Sequence, residues 1–202
     1  MRIIKNRLFI LFLMSVSLLL SSRFIYNWKS SDVELDEYKV ISDFYCVLYD
    51  EADFSSIPDS LLPNNYVISD STLDYPIPND SVLHKIEKGL GFSLPHEMVI
   101  DFQRKNRERY KLYRLFDLPL PYSFYTEKDS REIDSWSQFY DKFPKSTGLI
   151  NFSRVGFNQD RSKALFYRGE SGGALAGAGI FFYLEKSNGR WRLVADSQMW
   201  IS

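Results

Sequence analysis

The sequence predicts an α+β domain, with helices gathered in the N-terminal half and packed on a C-terminal antiparallel β-meander of about four strands. Three observations predict it. Apolar residues recur at helical spacing from about residue 32 to residue 143, and from Gly148 the period changes to two. Asn188-Gly189 is the pair favoured in a two-residue type I′ hairpin, where both central positions need positive φ. Sixteen Phe, thirteen Tyr and four Trp in 202 residues suit a sheet-rich core. A helix packed into a curved sheet, as in cystatin-like or NTF2-like cones, fits this order of elements.

Basic residues Arg2, Lys5 and Arg7 precede an apolar run from Leu8 that continues through Leu20, the layout of an export signal. An uncleaved anchor fits as well. Leu8 to Ile25 would give about 27 Å of helix against a hydrocarbon core of about 30 Å, with Tyr26 and Trp28 at the interface. Both readings place the globular part outside the cytoplasm, secreted, periplasmic or membrane-anchored. Residues 1–28 are therefore set apart from a single domain over 29–202.

Ser31 and Glu34 have capping-box spacing, and Tyr38, Ile41, Tyr45 and Leu48 lie on one helical face, so a helix is expected over 32–49. Cys46, the one cysteine, reads as a small hydrophobe on that face; it excludes an intramolecular disulfide and a Cys-based zinc site. After a loop with Pro58 and Pro63, residues 66–72 form a short strand. Asp80 is expected to cap a helix that stops at Gly89. A second helix begins near Ser93, with Pro95 in its first turn and Met98, Val99 and Phe102 buried.

Arg104, Lys105, Arg107, Arg109, Lys111 and Arg114 form the densest charge cluster. It reads either as a solvated helix face or as a contact for acidic lipid headgroups. The formal net charge of −1 gives no field for nucleic acid. Residues 122–126 suit a strand. Ser135 and Gln138 repeat the capping-box spacing ahead of Trp136, Phe139, Tyr140 and Phe143, an aromatic face that should plug one end of the sheet before Pro144 stops it. Strands follow at 149–157, 163–168 and 180–186, with Trp191, Leu193 and Ala195 on the returning strand.

Gly169-Glu170-Ser171-Gly172-Gly173 invites a nucleophile reading, with Ser171 activated by His84 or His96. A triad needs an imidazole to take the serine proton and an aspartate to orient it, yet Val82-Leu83-His84-Lys85-Ile86 reads as helix and nothing sets either histidine beside Ser171. The glycines Gly172, Gly173, Gly177 and Gly179 fit a flexible 169–179 loop that binds a ligand or partner. They do not fit a phosphate cradle, which needs Gly-Lys-Ser/Thr opening a helix, or a dinucleotide fingerprint, which needs strand, glycines, helix. No cofactor or metal site is expected. Glu97 and Asp101, at i and i+4, read as a solvent-facing pair.

Ser153-Arg-Val-Gly-Phe-Asn158, Ala164-Leu165, Gly172-Gly173, Gly177-x-Gly179, Leu184-Glu185-Lys186, Gly189-x-Trp191 and Trp200-Ile201-Ser202 together make a pattern. Extended upstream to Phe139-Tyr140 and Phe143-Pro144, it resembles a family of uncharacterised bacterial exported or hypothetical proteins. The resemblance implies no activity and carries over no catalytic residue; members of that family vary at the position of Ser171. The expectation is therefore a non-enzymatic binding or interaction domain of the cell envelope, taking an unknown protein or a small ligand. Two alternatives stand beside it: a serine hydrolase using Ser171, and an inhibitor-like or structural module acting through residues 169–179.

Overall fold

A computed structural model of the chain describes residues 33–52, 62–75, 77 and 79–202. The export segment expected at 1–28, the Ser31 cap, Pro58, Pro76 and Pro78 lie outside the described residues. Leu35–Ser202 forms one compact unit, in which the described residues make a mixed sheet of seven strands and five helices.

Helix α1 (Leu35–Glu51) has no Gly or Pro and keeps its apolar residues on one side, so one face is driven into the core. Tyr38, Ile41 and Tyr45 are buried as the spacing predicts, and Val40 and Phe44 join them. Phe44 lies at 5.3 Å from the Phe166 ring and 4.5 Å from Phe182. Cys46 is half-buried, and burial pushes its thiol up in pKa, which keeps it protonated and unreactive.

Helix α2 (Asp80–Leu90) differs at both ends from expectation. Asn79, not Asp80, is the cap, its side chain accepting from the Val82 N–H at 3.1 Å. The left-handed residue beyond the helix is Gly91, at φ 83°, and Gly89 lies inside it. A side chain at Gly89 would put its Cβ 2.0 Å from Ser197 Oγ, so this glycine admits a strand rather than ending a helix. Helix α3 (His96–Lys105) starts after Pro95 and buries Met98, Val99 and Phe102.

The strands are β1 (Asn65–Ser69), β2 (Tyr122–Tyr125), β3 (Ser146–Phe152), β4 (Gly156–Phe157), β5 (Lys163–Gly173), β6 (Ala176–Ser187) and β7 (Arg190–Ile201). Their order is β2-β1-β3-β5-β6-β7, with β4 also paired to β5. The sheet is thus larger than a four-stranded meander and is not wholly antiparallel: β1 runs parallel to both β2 and β3. The long connections from β1 to β2 and from β2 to β3 make this possible, since parallel neighbours need crossovers. The second crossover carries α4 (Glu127–Glu132) and α5 (Trp136–Lys142). The antiparallel half matches expectation best at the β6–β7 hairpin, where Asn188 and Gly189 sit at φ 50° and 78°.

Both faces are covered. Phe166 and Phe182 face α1, while Leu165, Tyr167, Phe181 and Tyr183 alternate to the other face under Ile86, Met98 and Phe102 of α2 and α3. Helix α5 packs its aromatics on Val67 and Leu149, over the parallel strands.

The strand expected over 149–157 breaks at Ser153, Arg154 and Val155, all buried. Arg154 reaches Glu37 of α1 with Nη2 at 2.6 Å and Nε at 3.3 Å. Glu37 also accepts from the Val155 N–H at 2.8 Å and lies 3.5 Å from Lys105 Nζ. Lys105 lies 3.2 Å from Asp101 and donates to the Val155 carbonyl at 3.1 Å. Asn106 closes the set by accepting from the Arg154 N–H at 2.7 Å and donating to its carbonyl at 3.1 Å. Arg154 is 2% exposed, Glu37 1% and Lys105 4%, so these charges have left water and depend on one another.

Removing one partner strands the rest. Glu37→Ala should lower unfolding free energy by about 3–5 kcal/mol, read as a fall in the urea midpoint; an unchanged midpoint would show that the cluster carries no stability. Burial would raise the Asp101 carboxyl, but the Lys105 charge, the Phe157 N–H and Arg104 bring it below its ordinary value. A depressed folded pKa adds stability above the unfolded value of about 3.9 and loses it as pH falls through the folded one. Stability should therefore fall as pH drops below about 5, and Asp101→Asn, weaker at neutral pH, should flatten that slope in urea titrations.

Candidate functional site

The three parallel strands end together. Ser69 closes β1, Tyr125 closes β2 opposite Ser69, and Asn151 is the penultimate residue of β3. Open parallel sheets place ligands outside the carboxyl ends of their strands, because the chain must leave the sheet there and the departing loops form a crevice. Such a cleft is present, with a volume of about 260 Å³. Ser69, Asp70 and Ser71 line it from β1, Tyr125, Thr126, Glu127 and Ser130 from β2 and α4, and Leu149 and Asn151 from β3; Arg109 reaches it from the loop after α3.

Local chemistry explains why the chain turns away here. Thr126 caps α4, accepting from the Asp129 N–H at 3.3 Å, while Asp129 accepts from the Thr126 N–H at 2.7 Å. Burial would raise the Asp129 carboxyl, but hydrogen bonds from Lys142 and Thr126 hold it below its ordinary value. On the other strand, the Asp70 N–H donates to the Tyr125 carbonyl at 3.0 Å and its carbonyl accepts from Leu112 at 2.7 Å. The Asp70 backbone is thus pinned. Its half-buried carboxylate, and the half-buried Asn151 amide, have no hydrogen-bond or ionic partner among the described residues. Arg109, by contrast, is engaged with Asp74 at 3.0 Å, which holds the Asp74 carboxyl below the usual range.

A second cleft of about 220 Å³ shares Tyr125 and Leu149 with the first as a common wall, and continues past Ile133, Asp134, Ser135, Trp136 and Phe139. Trp136 is braced edge-on against Phe139 at 5.1 Å, so its ring is held. Burial and the Asp129 charge raise the Tyr125 hydroxyl, which therefore stays neutral. The two clefts adjoin at Tyr125 and Leu149, the first polar and the second aromatic.

The glycines expected to form a loop at 169–179 lie in a β-ladder instead. Gly169 pairs with Gly179 and Ser171 with Gly177, and the chain reverses at Ala174-Leu175. Their small size has a packing cause. A Cβ at Gly179 would fall 2.1 Å from both Trp200 Nε1 and the Tyr167 hydroxyl, and one at Gly177 would meet the same indole at 3.2 Å. Trp200 lies over the stripe, donates to Tyr167 at 2.7 Å, and Tyr167 stacks on Tyr75 at 4.5 Å. Gly172 accepts from the Tyr140 hydroxyl at 2.8 Å, and Gly173 pairs with Ala176. A depression of about 220 Å³ touches Gly172 and Gly177, with Glu170 its one charged residue.

Ser171 is paired on both sides, to Leu149 and Gly177, just ahead of a shift in the β5–β6 register. His84 lies on the exposed side of α2 and His96 opens α3; among the described residues neither imidazole hydrogen-bonds Ser171 or a carboxylate. The orienting contacts of a triad are not in place. Glu97 is exposed, whereas Asp101 belongs to the buried charge cluster, so the two do not act as a pair.

The basic stretch is not one surface. The helix ends at Lys105, which is buried and unable to meet a headgroup. Arg104 pairs with Asp101 at 2.6 Å and Arg109 with Asp74, while Arg107, Lys111 and Arg114 are exposed, Arg114 lying over the Tyr122 and Phe124 rings. Among the described residues no group of three or more His, Cys, Asp or Glu is placed to hold a metal.

Comparison with known proteins finds no matching family, no matching characterised protein and no matching solved structure. The functional argument rests on geometry. Sequence patterns had pointed to the glycines; the structure points to Asp70, Tyr125, Asn151 and Trp136. The signal for these was slight: a short strand ended by Ser69-Asp70-Ser71, and an aromatic face on α5 that reads as core.

Because Trp200 closes the glycine stripe, Gly179→Ala should expel the indole. A red-shifted tryptophan emission and a loss of about 1–3 kcal/mol are expected; unchanged emission would show that the indole does not depend on the bare glycine.

Proposed function

We propose that this chain is a non-enzymatic binding domain that holds a small ligand in the groove at the carboxyl ends of β1, β2 and β3. The observation that carries the proposal is the pair Asp70 and Asn151. Both are half-buried, both border the cleft, and neither side chain has a hydrogen-bond or ionic partner among the described residues. Their polar atoms are open to the cleft rather than sealed in the protein, so they are free to bond a ligand there. The braced aromatic wall at Trp136 and Tyr125 adds apolar contact next to the polar end, the usual make-up of a small-molecule site.

The setting belongs to the same proposal. The basic start and apolar run of residues 1–20 support export, which puts the groove outside the cytoplasm. Among the described residues no helix is long and apolar enough to cross a membrane. Membership of the exported family suggested by the C-terminal pattern adds no chemistry. A likeness to cystatin-like or NTF2-like cones, confined to a helix laid across a sheet, lends no function either.

A thermal-shift screen of the whole chain against a library of small polar metabolites tests the binding. A ligand at about a hundred times its Kd stabilises by about 2.7 kcal/mol, or roughly 5–10 °C in a domain of this size. Asn151→Ala should abolish that shift. A library that moves no melting temperature, or hits indifferent to Asn151→Ala, would remove the proposal.

A further inference from the structure

We infer that the ligand is a saccharide, bound with a sugar ring against Tyr125 and Trp136 and its hydroxyls on Asp70 and Asn151. The inference rests on the binding reading above and names its ligand class.

Charge disfavours the commonest alternative, an anionic ligand. Arg109 is the cation at the cleft, and it is already engaged with Asp74. Glu127 is likewise paired with Arg131. Asp70 is left as an uncompensated carboxylate, which repels a phosphate or carboxylate ligand. What it demands is a hydrogen-bond donor, and a bond to a charged group is among the stronger ones available.

Donors alone do not suffice. Asn151 presents both amide N–H groups and a carbonyl, and Ser69 and Ser71 present hydroxyls that donate and accept, while the Thr126 hydroxyl is committed to Asp129. A polyamine, which only donates, would leave the Asn151 N–H groups unmatched. A sugar hydroxyl does both, and adjacent hydroxyls match the two oxygens of Asp70 and the N–H/O pair of Asn151.

The apolar wall completes the match. Tyr125 and Leu149 belong to both clefts, and the second continues to Trp136, held by Phe139 and half-open to solvent. A pyranose carries its hydroxyls around its rim and has an apolar face of C–H groups. That face suits an aromatic side chain of large area and polarised surface, while the rim reaches the polar end of the groove. A lipid chain would satisfy the aromatic end and strand the polar one.

The test is titration of the whole chain, in a detergent without a sugar headgroup, with cellotetraose, chitotetraose and maltotetraose. Calorimetry and tryptophan emission are the readouts, with spermidine and inorganic phosphate as comparators. At least one oligosaccharide should bind, Asp70→Asn and Trp136→Ala should each weaken it about tenfold or more, and Trp136→Phe should retain most of the affinity. Far-UV dichroism and urea midpoints check that the variants fold, and Asp70→Asn preserves shape if Trp136→Ala does not. Saturable binding of spermidine or phosphate at the groove in place of any sugar would overturn the inference. So would a screening hit that depends on Asn151 while all three sugars fail, an outcome that leaves the binding site standing. Sugar binding indifferent to both variants would overturn the site as well.

Discussion

Three charged side chains buried where helix, loop and broken strand meet set the frame of this protein. Arg154 sits in the interruption between β3 and β4, and its guanidinium is held by Glu37 on the first turns of α1. Lys105, at the last turn of α3, bridges Glu37 and Asp101. Taking such groups out of water is expensive, and hydrophobic residues of similar volume would often serve stability as well. What the charges add is placement. An arginine with two bonds to one carboxylate tolerates little rotation, so the layers on opposite faces of the sheet are tied to one break in one strand.

That tie positions the rest. On one face α1 lays Phe44 and Tyr45 on the aromatic residues of β3, β5 and β6. On the other, α2 and α3 cover the antiparallel half and α5 covers the parallel half. The cleft opens on the parallel half, where β1 and β2 finish side by side and α4 leaves the sheet. On the antiparallel half Trp200 lies down on the glycines of β5 and β6, and the depression beside Gly172 and Gly177 has Glu170 as its one charged residue.

Much of the fold was legible. The Asn188-Gly189 hairpin, the buried stripes of α1 and α3, and the short aromatic helix at 136–142 follow from local rules of periodicity and turn geometry. Where local signals conflicted with packing, packing decided. Gly89 looked like a helix end but is bare because Ser197 presses on it. Glycines at 169–179 looked like a loop, since glycine is poor in strands, yet an indole needed the room. Lys105 looked like one charge in a solvated run, and its burial depends on Glu37, far away in sequence.

The sequence by itself determined which segments are helix and which are strand over most of the domain, and the antiparallel order of the last hairpin. Those features arise from neighbours within a turn or two, whose spacing is written along the chain. Parallel pairing, the break at Arg154 and the groove were decided only by tertiary structure. A parallel partner is chosen across a long crossover, and a cleft is the space left between elements. Asp70 and Asn151, eighty-one positions apart, become one site because β1 and β3 lie side by side.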